Sequence, residues 1–549
     1  MAIFIGGAWP YANGSLHVGH IASLLSGDVL ARYFRQKGKK VLYVSGSDCN
    51  GTPIMVRARQ EETSPKTIAD RYHEEFKQNF TDLGFSYDLY TRTDLEDHHQ
   101  TVQEMFLQLL KNGHLTKRSV EQVYCHHCTQ FLPDRYVEGT CPTCRKDARG
   151  DQCDHCATLL DPTTLENRRC KICLQQPGVK NTEQYDLTLS HFQNHLRAYV
   201  NEAKAQNVWR ENAVMLTERY LDEGLQDRAA TRDLDYGVPV PLEGSDNKKI
   251  YVWIEAVAGY YTASKQWGKL TGKEYKTFWK NDTRSYYVHG KDNIPFHTLI
   301  WPAILMGLRK NSSLPTYILS NEYMTIERQK ISTSKNWAVW IPDLLQRFHA
   351  DTIRYYLTVN APEQRDGDFS WREFVYSHNS ELLGAYGNFV QRTVKFIQKS
   401  FNGTLPKHSI DQKHRDSVNQ LYVTIGQKIE KGEIKSAIED IFSSIRSANK
   451  YFDERKPWAQ LKQNPDACAY TLYQCLYMIV NYAQLLHPFL PFSSHAIKES
   501  LHLDSFTWKS IEPSGLPIKQ FHPLYERIDV DVIDEEIERL NHLATKKEN

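Results

Sequence analysis

The stretch Ala2-Ile3-Phe4-Ile5-Gly6-Gly7-Ala8-Trp9-Pro10-Tyr11-Ala12-Asn13-Gly14-Ser15-Leu16-His17-Val18-Gly19-His20 reads as a strand, a turn and the start of a helix. Ala2–Gly7 is an apolar run of the right length for a buried strand. Trp9-Pro10 interrupts it, and the residues from Pro10 to Ser15 are those of a turn. A helix is predicted from Leu16 to about Gln36, stopped by Gly38, and Lys40–Val44 makes a second strand. This order is the βαβ unit of a parallel sheet, in which ligands lie beyond the carboxyl ends of the strands.

Further along, Ser64-Pro65 combines a cap residue with a proline suited to the first helical position, opening a helix to about Gly84. Another amphipathic helix runs from Asp94 to Asn112-Gly113. From Thr116 to about Asn181 the chain turns to cysteines, glycines, prolines and short polar loops, an insertion without a hydrophobic core of its own. Helical patterning and short strands continue to about Glu223. The sheet is expected to resume with Lys249–Ile254, Ser285–His289 and Pro315–Leu319, alternating with helices such as one near Phe296–Leu308. After Asp368-Phe369-Ser370 strands stop, and the rest reads almost wholly helical. Ile429–Phe452 and Ala467–Leu486 are long amphipathic segments, and Glu535–Asn549 is a charged helical tail. The expected fold is α/β: a split Rossmann-like parallel sheet with an insertion and an all-α C-terminal bundle. Its parts are 1–115 (first half of the sheet), 116–230 (insertion), 231–325 (second half), 326–375 (a linking region) and 376–549 (helical).

At 549 residues the chain exceeds a single core. Its 40% hydrophobic and 24% charged residues are ordinary for a soluble protein, and a net charge of +1 excludes a globally basic nucleic-acid binder while allowing a local basic face. Met1–Gly7 is cut short before it could make a secretory core, and Leu472–Phe492 is broken by polar residues and two prolines, so no membrane span is expected. A cytoplasmic location is expected, which disfavours a disulfide framework for the eleven cysteines. Eight of these form Cys-x-x-Cys pairs: Cys125/Cys128, Cys141/Cys144, Cys153/Cys156 and Cys170/Cys173. Two such pairs complete a tetrahedral thiolate site, so eight fit two closed structural Zn²⁺ sites, with the pairing left open by spacing alone. His126, His127 and His155 lie inside the loops as spare ligands at best.

A helix N-terminus presents unpaired N–H groups and partial positive charge, and so binds phosphate. Asn13-Gly14-Ser15 leads into one, His17 and His20 share a face of its first turn, and Gly19 lets a ligand approach the backbone. Two imidazoles there can donate to phosphoryl oxygens as charge builds during displacement at phosphorus. Far downstream, Glu327-Arg328-Gln329-Lys330-Ile331-Ser332-Thr333-Ser334-Lys335 interleaves two lysines with small hydroxyls, a composition suited to clamping a triphosphate.

His17-Val18-Gly19-His20 and Lys330-Ile331-Ser332-Thr333-Ser334 resemble the two signatures of class I aminoacyl-tRNA synthetases, and further stretches make the chain similar to the methionyl-tRNA synthetases from end to end. These are Ala8-Trp9-Pro10-Tyr11-Ala12-Asn13-Gly14, Ser47-Asp48-Cys49-Asn50-Gly51-Thr52-Pro53-Ile54, Thr231-Arg232-Asp233-Leu234-Asp235-Tyr236-Gly237, Val252-Trp253-Ile254-Glu255-Ala256 through Tyr260, and Gly290-Lys291-Asp292-Asn293-Ile294-Pro295-Phe296-His297 with Trp301-Pro302-Ala303. The resemblance implies activation of L-methionine with ATP and Mg²⁺, then transfer to tRNA(Met), by an enzyme expected to be monomeric. It implies His17, His20, Lys330, Lys335 and Arg232 as catalytic residues. Asn13, Gly19, Gly290, Asp292, Ser332 and Ser334 would bind ATP. Ala8, Trp9, Tyr11, Asp48, Trp253, Val257, Tyr260, Asn293 and His297 would bind methionine, with Asp48 receiving the ammonium. Aromatic walls suit an unbranched, polarizable thioether. The resemblance also implies a nested zinc arrangement, inner pairs on one ion and outer pairs on the other, and places Asn388, Arg392 and Trp458 on anticodon-reading helices. The region 326–375 would carry the signature loop and contact the tRNA stem.

The chain departs from the family's pattern at several places. Thr333 stands where the second signature usually has lysine, so Lys335 is expected to take over part of the phosphate clamp. Val257 replaces a common proline, Glu255 a common aspartate, Gly384 a common anticodon-contacting asparagine, and Trp9 a smaller apolar residue. Alternative readings are a cysteinyl enzyme of the same class, a small-acid ligase forming an acyl-adenylate, and a zinc-dependent RNA-binding protein without catalysis.

Overall fold

The computed structural model describes residues 1–133, 136–150, 153, 155–156, 160–308, 313–333, 335–518 and 520–545. The chain begins with β1 (Ile3–Gly7), α1 (Val18–Gln36), β2 (Val41–Ser47), α2 (Thr52–Gln60), α3 (Pro65–Asp82), β3 (Leu89–Arg92) and α4 (Glu96–Lys111). It then leaves the sheet. β4 (Leu115–Cys125) and β5 (Gly178–Leu187) form a long antiparallel ladder bearing the cysteine-rich segment at its far end. The chain returns through α5 (Gln193–Gln206) and α6 (Glu211–Glu223) to a short antiparallel pair, β6 (Thr231–Asp233) and β7 (Lys248–Ile250). α7 (Val252–Thr271), β8 (Arg284–Gly290), α8 (Trp301–Leu308) and β9 (Tyr317–Asn321) complete the α/β layer.

The main sheet has the order β9-β8-β1-β2-β3, and every neighbouring pair is parallel. From β1 the chain builds outward to β2 and β3, and after the insertion it returns to β1's other edge with β8 and β9. The order therefore reverses between β1 and β8, the switch point beyond which such sheets bind ligands. A smaller sheet follows, with β10 (Met324–Ile326) between β11 (Gln329–Lys330) and a later strand, β12 (Gly367–Phe369); α9 (Ala350–Val359) lies between these in sequence. The helical part comprises α10 (Trp371–Ser377), a π-helical segment His378–Gly387, α11 (Asn388–Phe401), α12 (Gln412–Glu430), α13 (Ile434–Arg455), α14 (Pro457–Gln463), α15 (Pro465–Leu486) and α16 (Pro491–Ser500). α17 (Val532–Thr545) ends the described chain. Among the described residues no helix is long and apolar enough to cross a membrane.

α1 joins the two layers. It is buried nearly all round, as a helix must be when it has a sheet on one side and other helices on the other. Its Asp28 and Arg354 of α9 form a wholly buried ion pair at 2.7 Å, joined by Arg32 at 3.0 Å. Arg354 also donates to the carbonyls of Leu83, Pro488 and Phe489, tying the end of α3 and the α15–α16 turn to the same point. Asp28 accepts from the Ser86 N–H and hydroxyl. Burial alone would raise the Asp28 carboxyl, but Arg32, Arg354 and Ser86 together hold it well below the aspartate range. A second knot sits at Glu430 at the end of α12, which accepts from Tyr33 of α1, from Lys37 just after it and from Arg284 of β8.

Three sequence expectations are corrected. Lys249–Ile254 is not a strand of the parallel sheet: β7 stops at Ile250, pairs only beside the sheet, and Val252 opens α7. A β-branched and aromatic run reads as a strand, and the periodicity of so short a stretch does not separate buried strand from buried helix. Ile429–Phe452 is not one helix, because Lys431-Gly432, with Gly432 at φ +78°, separates α12 from α13. The C-terminal part is not wholly helical either. The described residues of 501–531 cross the bundle without helix or strand, held by anchors such as Trp508, whose indole donates to the Tyr422 carbonyl.

Replacing Arg354 with methionine should leave Asp28 buried beside Arg32 alone, destabilising the fold by about 3–5 kcal/mol in a denaturant titration. A loss under about 1 kcal/mol would show that the pair does not couple the layers. Because the folded Asp28 titrates below its unfolded value, its contribution is complete above the ordinary aspartate range of about pH 4. It is lost as the pH falls further, through the folded value. The difference in stability between wild type and Asp28→Asn should therefore shrink in acid.

Candidate active site

A cleft of about 470 Å³ opens at the switch point. Its walls come from Ala8–Tyr11 after β1, from His17, Gly19 and His20 at the head of α1, and from Trp253 of α7. Ser23 and Leu24 further along α1, Gly290 at the end of β8 with Asp292 and Asn293 after it, Glu322–Met324, and Lys330, Ile331 and Thr333 complete them. The two distant signatures thus face one space.

The helix begins at Val18, so His17 is its N-cap rather than part of its first turn. His17 Nδ1 accepts from the Gly19 N–H at 3.2 Å, and His20 Nδ1 accepts from the His17 N–H at 3.1 Å, a capping box built from two imidazoles. The rings stack at 3.8 Å. Although both reach the cleft surface, protein encloses them. Burial, and then its neighbour, holds His17 well below the usual imidazole value, and burial lowers His20 to about 4. With each Nδ1 accepting, a neutral ring must carry its proton on Nε2. Each histidine therefore offers one uncharged donor. At Gly19 a Cβ would meet the His17 ring at 3.1 Å and Ile331 at 3.2 Å, so the lysine loop comes close to the helix start.

The aromatic residues form two layers. Tyr11 packs edge-on to Trp253 (5.8 Å), and Trp253 stacks on Phe296 (4.2 Å, 10°). Trp9 lies edge-on to Tyr260. Its indole crosses Gly46 and Gly259, and a Cβ on Gly259 would come within 2.8 Å of it. Beneath these wall residues, Asp48, Val257, Tyr260 and His297 are buried. His297 Nδ1 donates to the Asn293 carbonyl at 2.8 Å, so its Nε2 accepts from the Tyr260 hydroxyl at 2.8 Å. Burial lowers His297 to about 4, keeping it neutral. Asp48 is fixed through its backbone, which receives Ala12 N–H and donates to the Pro10 carbonyl. Burial, with Glu255 nearby, pushes its carboxyl up.

Other expected residues lie outside the walls. Arg232 rests on the Tyr251 ring (4.7 Å) and donates to the Thr231 carbonyl. Asn13 sits in the turn after Tyr11, and Ser332 pairs through its backbone with Trp337. Lys335 is in the exposed turn behind the loop, its N–H on Ser332 Oγ at 3.4 Å. Ser334 falls outside the described residues. Sequence reasoning missed Phe296, which backs Trp253, and Tyr323, whose hydroxyl donates to Asp292. It also missed the wall residue Glu322, which pairs with Lys291 at 2.6 Å. Phe296 stands inside the Gly290–His297 stretch, whereas Glu322 and Tyr323 belong to no motif.

In the insertion the cysteines assemble as the nested arrangement expected. Cys125, Cys128, Cys170 and Cys173 make one group and Cys141, Cys144, Cys153 and Cys156 the other, each with sulfurs within 4.8 Å of one another. The Sγ–Sγ distances of 3.4 Å (Cys125–Cys173), 3.9 Å (Cys128–Cys170), 3.8 Å (Cys141–Cys156) and 3.5 Å (Cys144–Cys153) bracket the edge of a tetrahedron with metal–sulfur bonds of about 2.3 Å. Four soft donors at that spacing fit zinc. In the helical part, Gly384, Asn388 and Arg392 follow one another at four-residue steps, the first two exposed. Arg392 lies over Phe452 (4.3 Å) and pairs with Asp453 (2.5 Å), while nearby Trp458 is 47% exposed.

Comparison with known proteins agrees with this geometry. The family described as tRNA synthetases class I (M) matches residues 3–394, and the anticodon binding domain of methionyl tRNA ligase matches residues 408–520. A Bacillus cereus (strain Q1) protein named methionine–tRNA ligase is 59% identical over 540 residues, 98% of this chain and 99% of its own. The protein of that name from Bacillus mycoides (strain KBAB4) matches with the same identity and coverage. A crystal structure of Mycobacterium tuberculosis methionyl-tRNA synthetase bound by methionyl-adenylate superposes with a TM-score of 0.79, covering 96% of this chain and 100% of its own. At 22% identity that likeness speaks for the fold. With one family description spanning most of its length and relatives at this identity covering nearly all of it, the chain belongs to the methionine–tRNA ligase family of class I aminoacyl-tRNA synthetases.

Proposed function

We propose that this protein is a methionine–tRNA ligase. The methionine carboxylate attacks the α-phosphate of ATP, pyrophosphate leaves, and methionyl-AMP remains; Mg²⁺ accompanying the ATP would neutralise phosphate charge. A hydroxyl of the terminal tRNA ribose then attacks the acyl carbon and AMP departs. The observation that carries the reading is the shared cleft: the histidine pair, Lys330 and the aromatic wall face the same space. Neutral Nε2–H donors at the head of α1 suit charge growing on phosphoryl oxygens, since preorganised dipoles need no reorganisation as the reaction proceeds. Lys330 supplies the positive charge opposite them. No side-chain nucleophile is needed, so orientation and electrostatics supply the rate.

On this reading Trp9, Tyr11 and Trp253 wall the amino-acid side chain over His297 and Tyr260, and Asp48 receives the ammonium. Arg232 acts during activation, and Asp292 and Asn293 contact the ligands from the β8 side. Asn388, Arg392 and Trp458 meet the anticodon, where an exposed tryptophan can stack on an unpaired base. The two cysteine groups hold structural zinc, which stabilises the insertion and leaves no coordination position for chemistry. The enzyme works in the cytoplasm as a monomer.

Amino-acid-dependent ATP–pyrophosphate exchange tests the assignment directly. Methionine alone should support exchange, and silence with every amino acid would sink it. Lys330→Ala should slow exchange by about 10²-fold with little change in methionine binding. Lys335→Ala should cost roughly tenfold if the loop folds inward to bring it to the phosphates; unchanged rates would assign no compensating role to that lysine. Metal analysis should find about two zinc atoms per chain, and Cys153→Ser should lose one of them while the other remains.

A further inference from the structure

Under the cleft lies a cluster of buried polar groups that the reaction above leaves unused. Glu255 on α7 is fully buried. Its Oε1 accepts from Asn50 Nδ2 at 3.0 Å, and its Oε2 lies 2.7 Å from Nε2 of His98 on α4. Asn50 donates its own backbone N–H to Oδ1 of Asp48 at 3.1 Å. Glu255 and Asp48 are thus joined through a single residue. On the far side of the imidazole, His98 Nδ1 lies 2.9 Å from the Thr262 hydroxyl, which donates to the Gly259 carbonyl at 3.1 Å.

Counting protons constrains this cluster. With the Thr262 hydroxyl proton on the Gly259 carbonyl, Thr262 Oγ1 is left to accept from His98 Nδ1. A neutral His98 then has a bare Nε2, and the short contact to Glu255 requires a proton from the carboxyl group. Moving that proton onto nitrogen would create an imidazolium and a carboxylate away from water, which costs more than it returns without further partners. Burial lowers His98 to about 3 and raises Glu255 well above the carboxylate range. Other ionisable groups face the cluster: Asp48 and Cys49 after β2, Asp94 before α4, and His99 on α4. Asp94 accepts from Nε and Nη2 of Arg92, at 2.5 and 2.7 Å.

We propose that Glu255 is a positioning residue for the amino-acid site: as a neutral acid shared with His98 it anchors Asn50, and through it Asp48, without setting a second unpaired charge beside Asp48. An ionised Glu255 would favour protonation of Asp48, and a neutral Asp48 cannot pair with an ammonium. This rests on the reading of Asp48 as the ammonium partner.

The test compares full-length Glu255→Ala and Glu255→Gln in methionine-dependent exchange, with infrared difference spectra of wild type against Glu255→Gln. Alanine should raise the KM for methionine by about tenfold, because Asn50 and His98 lose buried partners, while the KM for ATP stays close to wild type. Glutamine can accept from Asn50 and donate to His98, so it should recover most of that loss. The difference spectrum at neutral pH should contain the carbonyl stretch of a protonated carboxylic acid. Glutamine as impaired as alanine, an unchanged methionine KM in the alanine variant, or carboxylate bands in place of the acid band would each overturn the proposal. The infrared result does not depend on activity, so wild-type silence in exchange would count against the functional reading alone.

Discussion

The buried pair between Asp28 and Arg354 is the constraint on which the architecture depends. A guanidinium with no exposure must satisfy its donors inside the protein, and Arg354 does so with one carboxylate and three carbonyls, one at the end of α3 and two in the α15–α16 turn. Each of those segments is thereby fixed to α1. Such a pair adds little net stability over an apolar replacement, yet breaking it strands a charge, so it selects one relative placement of sheet and bundle. The first turn of the same helix forms the head of the cleft. The orientation of the cleft-facing imidazoles is thus set by the contacts that dock the helical part.

Burial shapes the chemistry as much as it shapes the fold. His17, His20 and His297 are all held neutral by desolvation, and in each the hydrogen bond at Nδ1 decides what Nε2 does. At the head of α1 the backbone donates to Nδ1, so Nε2 becomes a donor. Beside Tyr260 the ring donates from Nδ1 to a carbonyl, so Nε2 becomes an acceptor. The same side chain, equally uncharged, has been given opposite roles by one backbone contact.

Much of this was legible in the sequence, for local reasons. An apolar run, Trp9-Pro10 and a glycine after the helix are enough to read β1, α1 and β2, because each depends on neighbours in the chain. The cysteine pairs are readable for the same reason, and only the family resemblance chose their partners. What escaped depends on distant residues. Val252 starts a helix because α7 must cover the sheet, a demand invisible in its own β-branched sequence. Glu255 reads in the sequence only as a departure from the family's pattern, since nothing near it announces His98. The lysine loop read well as composition, but its geometry puts Thr333 in the wall and Lys335 behind it.

Trp9 carries a consequence for how this pocket can change over time. Its indole occupies space that exists only because positions 46 and 259 lack side chains. Neither glycine can acquire even a methyl group while the tryptophan is present, and shrinking the tryptophan would open a void over both. Trp9 and Gly259 must therefore be altered together, whereas Gly46 is closed by the Thr91 carbonyl as well, which a Cβ there would meet at 2.5 Å. A compound shaped to a wall with a small residue at this place would collide with the indole here, and that exclusion is carried by Trp9 and Gly259 as a pair.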